Sequence, residues 1–95
     1  MELVDRTPPP VAEGALAETV DNRGMLCAQG ILRLMRVFTR VAPGGVVKVR
    51  STDAAAEHDY PAWCRNTGHT FLGHRLEPDE RWGPLIASYV RKKAD

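Results

Sequence analysis

The chain is short of net charge, of cysteine and of long apolar runs, and each scarcity removes a class of protein. Thirteen Lys and Arg against twelve Asp and Glu leave a formal charge of +1. Affinity that rests on bulk attraction to nucleic acid or to an anionic membrane is therefore not expected, although local basic patches remain open. Two cysteines, Cys27 and Cys64, are too few for a disulfide framework and too far apart for a zinc knuckle, and in a reducing cytosol both are free thiols. His58, His69 and His74 add no pair with the spacing of a metal site, so neither a metal nor another cofactor is expected. No stretch of about 18 apolar residues exists to span a bilayer, and the first residues lack the charged-then-apolar order of a secretory signal. The expected location is the cytoplasm.

What is present is ordinary globular composition, 43% hydrophobic and 26% charged over 95 residues, which is enough for one two-layer core. Residues 1–17 carry Thr7-Pro8-Pro9-Pro10 and no period, and are expected as a flexible, solvated arm before a domain over 18–95. Glu18 to Asn22 alternates weakly as a first strand. Ile31, Leu34, Met35, Phe38, Val41 and Ala42 then recur at helical spacing, which predicts an amphipathic helix of roughly 14 residues closed by Ala42-Pro43-Gly44-Gly45.

Gly45 to Thr52 reads as a second strand with Val47 and Val49 inward and Lys48 and Arg50 outward. Strand, helix, strand makes a right-handed βαβ unit with parallel strands. Asp53 to Gly68 predicts a second helix with Asp53 as a cap and Gly68 as its C′ residue, and Pro61 makes either its first turn irregular or the helix a shorter one from Tyr60 capped by Asp59. His69 to Glu77 alternates as a strand with Leu72, His74 and Leu76 on one face. Trp82 to Lys92 supplies a last strand, which Pro84 delays or sets at an edge. The sum is an α/β, two-layer βαβαββ fold: two helices against one face of a mixed four-stranded sheet, the other face partly open.

Cys27 falls at the start of the first helix. There the unpaired backbone N–H groups and the peptide dipoles favour a thiolate, so an exposed sulfur with a lowered pKa is expected. With Cys27 as N-cap, Leu26 and Ile31 stand in the positions of a hydrophobic staple. The alternative is a buried cysteine acting as a small hydrophobe. Cys64, beside Trp63 on an inward stripe, reads first as packing and second as a resolving thiol for Cys27. Arg33, Arg36 and Arg40 form a basic stripe, either a solvated face or a surface that docks an acidic partner or RNA. Asp21 is expected to fix the turn by accepting backbone N–H groups.

The run Val20-Asp21-x-Arg23-Gly24-Met25-x-Cys27 resembles the opening signature of the TusA/SirA family of sulfur-carrier proteins. Asp59-Tyr60-Pro61-x-Trp63-Cys64 and the closing Tyr89-Val90-Arg91-Lys92 are similar to its second helix and last strand, so the likeness covers about residues 18–92. The family hallmark Cys-Pro-x-Pro reads Cys27-Ala28-Gln29-Gly30 here, without either proline. Ala28 and Gly30 regain two backbone donors in the first turn, which with Gln29 and Arg23 are expected to cradle a sulfur anion.

The resemblance implies a sulfurtransferase-type relay in which Cys27 carries sulfane sulfur as a persulfide. The implied donors are cysteine desulfurases or rhodanese-like proteins, with an acceptor protein in thiouridine synthesis, molybdenum-cofactor assembly or sulfur oxidation. Two alternatives stay open: a non-catalytic protein- or RNA-binding regulatory module, and a Cys27/Cys64 thiol–disulfide switch.

Overall fold

The computed structural model describes residues 8–94. After a single 3-10 turn at Glu13–Ala15 come β1 (Glu18–Asn22), α1 (Cys27–Phe38), β2 (Val46–Ser51), α2 (Ala56–Thr67), β3 (Thr70–Glu77) and β4 (Leu85–Arg91). The sheet order is β1-β2-β4-β3, with β1 parallel to β2 and the other pairs antiparallel. The element order and the mixed sheet are those the periodicity predicts.

Both helices lie on one face. Val20, Val47, Val49, Ile86 and Val90 of the sheet meet Leu34, Val37 and Phe38 of α1 and Ala56, Tyr60 and Cys64 of α2. Burial of these apolar groups is the main driving force of the fold. α1 is shorter than its apolar pattern predicts: after Phe38 the chain tightens into i→i−3 turn bonds, and Lys92 reaches across from the end of β4. Its Nζ donates to the Phe38 carbonyl at 2.7 Å and to the Val41 carbonyl at 2.6 Å. Those bonds satisfy carbonyls at the helix end without a further helical turn. Pro61 stays inside α2, at the middle of the helix, where it forgoes one bond to the carbonyl of solvent-exposed Glu57. Gly68, at φ 87°, closes the helix in the left-handed conformation.

The second face of the sheet is less open than expected. Residues 1–7 of the proposed arm lie outside the described residues, but Val11 and Leu16 pack with Leu72 over Val46, Ala87 and Tyr89. Lys48, expected to point to solvent, is 5% exposed on that face. Its ammonium pairs with Glu13 at 2.7 Å and Glu77 at 2.8 Å. The alternation assigned to β3 also shifts. A bulge between Phe71 and Gly73 sends Phe71 and Leu76 to the helix side and Leu72 to the other side. Gly73, at φ 128°, supplies the backbone freedom such an irregularity needs.

Candidate functional site around Cys27

The turn from β1 to α1 is held as Asp21 predicts: its Oδ1 accepts the Arg23 N–H at 3.2 Å. Gly24 turns the chain at φ 81°, and its N–H donates to Thr52 Oγ1 at 2.8 Å. Leu26, not Cys27, is the N-cap. Leu26 is 69% exposed, so no staple to Ile31 forms. Gln29 Oε1 instead accepts the Leu26 N–H at 3.3 Å. Cys27 is the first helical residue, and Asp53 Oδ2 accepts its N–H at 2.8 Å. Asp53 Oδ1 accepts the Ala55 N–H at 3.0 Å; Ala55, not Asp53, is the N-cap of α2, and the carboxylate joins the start of α1 to the turn that leads into α2.

Burial and two carboxylates overturn the electrostatic expectation. Cys27 is only 4% exposed, and its thiol is pushed up to about 12, first by burial. The negative charge of Asp59, which also accepts the S–H, and then the charge of Asp53 push the same way, while a hydrogen bond from Tyr60 opposes them. The helix dipole is worth at most about 2 kcal/mol and acts on a site already occupied by an anion. Desolvation and two carboxylates outweigh it. The resting sulfur is a buried thiol, not an exposed thiolate.

The expected anion cradle is also rearranged. Arg23 turns its guanidinium away to Asp21 Oδ2 and Asp79 Oδ2, each at 2.7 Å. The Gly30 N–H closes the first helical hydrogen bond, to the Leu26 carbonyl at 3.0 Å, and Ala28 and Gln29 are exposed. The Gly30 N–H and the Cys27 N–H therefore both have protein acceptors.

What gathers around the sulfur is a polar set that no linear pattern assembles, Asp59 and Tyr60 from α2 and Asp53 before it, with Asn22 from the end of β1 behind Tyr60. Asn22 donates through Nδ2 to the Gly30 carbonyl at 3.1 Å and to the Tyr60 hydroxyl at 3.2 Å. The signal was present in the strand alternation, since Asn22 takes an inward position after Val20 where an apolar residue is the rule.

Of the arginine stripe, Arg33 and Arg36 line an open groove of about 530 Å³ with Met25, Gln29 and Leu32. Arg40 is instead paired with Glu18 of β1 at 2.5 Å. Leu32 and Met35, 61% and 47% exposed, give this face an apolar strip beside the two cations. Cys64 is 2% exposed in the main core, and burial raises its thiol to about 11.

The family model described as Sulfurtransferase TusA matches residues 18–86. The chain belongs to the TusA family. Among curated TusA relatives, the sulfur carrier protein TusA of Pseudomonas entomophila is 34% identical over 77 residues, covering 81% of this chain and 90% of that protein. The sulfur carrier protein TusA of Pseudomonas putida is 32% identical over 76 residues, covering 80% and 89%. The crystal structure of a SirA-like protein from Desulfitobacterium hafniense superposes with a TM-score of 0.60 at 16% identity, over 80% of this chain and 97% of that one. That likeness is one of fold. TusA membership supports a role in sulfur transfer and implies donor and acceptor proteins. Among the described residues, no helix is long and apolar enough to cross a membrane.

Proposed function

We propose that this TusA-family chain is a sulfur relay in which Cys27 accepts sulfane sulfur as a persulfide from a donor protein and passes it to an acceptor. The observation that carries the reading is the Cys27 thiol at the first turn of α1 with the Asp59 carboxylate beside it. Asp59 takes the thiol proton as the Cys27 sulfur attacks the terminal sulfur of a donor persulfide. A new S–S bond forms to Cys27, the donor's own S–S bond breaks, and the donor leaves as a thiolate that collects the proton. No net oxidation occurs. At rest the protonated thiol is a poor nucleophile. Transfer therefore follows docking, with the groove at Arg33, Arg36 and Leu32 as the surface that receives an acidic donor such as a cysteine desulfurase or rhodanese-like protein. Two unpaired thiols suit a reducing compartment, the cytoplasm, as the setting.

Burial of Cys27 favours one other reading, a protein- or RNA-binding module that has given up sulfur transfer. Intact mass after incubation with thiosulfate and a rhodanese separates the two. A gain of about 32 Da, one sulfur, that is absent in Cys27→Ser supports the relay. No gain in the native chain rejects it. A loss of two hydrogens, prevented by either cysteine substitution, supports the thiol–disulfide switch instead.

A further inference from the structure

Two residues of the main core are polar where packing alone asks for apolar groups. Asn22 is 2% exposed and Tyr60 fully buried. Burying an amide or a phenol is unfavourable unless it is hydrogen-bonded, yet among the described residues Asn22 Oδ1 has no partner. Room for the pair comes from a third residue. A Cβ at Gly30 would lie 2.7 Å from Asn22 Nδ2 and 2.9 Å from the Tyr60 hydroxyl, closer than such atoms can approach. Glycine inside a helix also sacrifices about 1 kcal/mol relative to alanine. Three unfavourable choices thus converge beside one sulfur.

The hydrogen-bond chemistry gives the arrangement a direction. An amide nitrogen only donates, and a carboxylate only accepts. Asn22 Nδ2 donates to the Tyr60 oxygen at 3.2 Å, which leaves the phenol proton for another acceptor. Two acceptors lie beside it, the Ser51 hydroxyl and the Cys27 sulfur, which is buried in the same cluster as the phenol, and the sulfur is the one that gains negative charge when its proton leaves towards Asp59. We propose that Asn22 orients the Tyr60 hydroxyl as a hydrogen-bond donor to the Cys27 sulfur, and that position 30 is glycine because a side chain there would displace that pair. Asn22 is then a positioning residue, and Tyr60 the donor that meets negative charge on the sulfur as its proton passes to Asp59. The charged and titratable groups facing the sulfur are Asp59 and Tyr60 of α2 and Asp53 ahead of it. Tyr60 is the one that favours the anion.

This role rests on the sulfur-carrying reading of Cys27 for its purpose but is measured on the unloaded protein, so failure to take up sulfur and failure of the hydrogen bond are seen separately. The experiment is alkylation of the full chain by iodoacetamide across pH 7–9, with peptide mapping to resolve Cys27 from Cys64. Tyr60→Phe removes the hydroxyl and keeps the ring. Loss of a hydrogen bond to a charged group is expected to slow Cys27 alkylation by about tenfold at each pH, with Cys64, the reporter of core opening, unchanged. A phenol that only packs gives an equal or faster Cys27 rate, and either result overturns the assignment. Asn22→Ala is expected to slow Cys27 in the same direction. The double variant is expected to be no slower than Tyr60→Phe alone, because Asn22 acts through the hydroxyl. Fully additive losses overturn the positioning role.

Discussion

At the scale of single residues, the departure from Cys-Pro-x-Pro has a steric content that composition does not show. Gly30 sits where Asn22 and Tyr60 press against the helix backbone. Gly30→Ala therefore sets a gain in helix propensity of about 1 kcal/mol against an overpacking cost of about 1–3 kcal/mol. A net destabilisation of about 1 kcal/mol is expected, read as a lower urea midpoint at unchanged slope. An alanine that stabilises the chain would mean the pair shifts aside freely. Gly30→Pro loses, in addition, the amide that bonds the Leu26 carbonyl, so restoring the motif proline is expected to cost more than alanine. The same locality explains why the thiol's ionisation is not legible in the sequence. Helix position is legible in a linear pattern, but the carboxylates of Asp53 and Asp59 arrive from more than two dozen residues away.

Elements set the next scale, and here the ends of α1 are fixed by groups outside it: Asp53 at its start and Lys92 at its close. Lys92→Met keeps much of the aliphatic stem and removes both bonds to the Phe38 and Val41 carbonyls. A loss of about 1–3 kcal/mol is expected, together with faster amide exchange in the last turn of α1 and unchanged exchange in its first turn. Uniform exchange along α1 would show that Lys92 does not hold that end. The sequence made the element types and their order legible because apolar spacing of 3.6 and 2 is a property of each segment alone. It left two things hidden, and both depend on partners distant in the chain. One is the true end of α1, where Lys92 bonds the Phe38 and Val41 carbonyls. The other is the face of Leu72, which the bulge before Gly73 reverses.

For the molecule as a whole, the buried thiols and the capping carboxylates set opposite limits on stability against pH. Asp21 is held down to about 2 by the Arg23 guanidinium, and Asp53 and Asp79 are lowered chiefly by backbone N–H donors. Below the ordinary 3.8 of these groups the unfolded chain binds more protons than the native one, so stability falls as pH drops from about 4 towards 2. The thiols act with the opposite sign. Cys27 and Cys64 keep their protons in the folded state to about 12 and 11, against an ordinary 9.0. Above pH 9 the native chain therefore binds more protons than the unfolded one. Their contribution is full below pH 9 and is lost as pH rises towards 11 and 12. Each thiol steepens that fall by up to about 1.4 kcal/mol per pH unit. Urea midpoints measured from pH 2 to 11 are thus expected to hold a plateau between about 4 and 9 and to fall on both sides of it. Replacing both cysteines with alanine is expected to lower the plateau, through lost packing, and to flatten the alkaline flank while leaving the acid flank in place. An alkaline flank of unchanged slope in that variant would mean that the sulfur of Cys27 ionises in the folded protein much as it does in the open chain, and the closed resting state proposed for the relay would have to be abandoned.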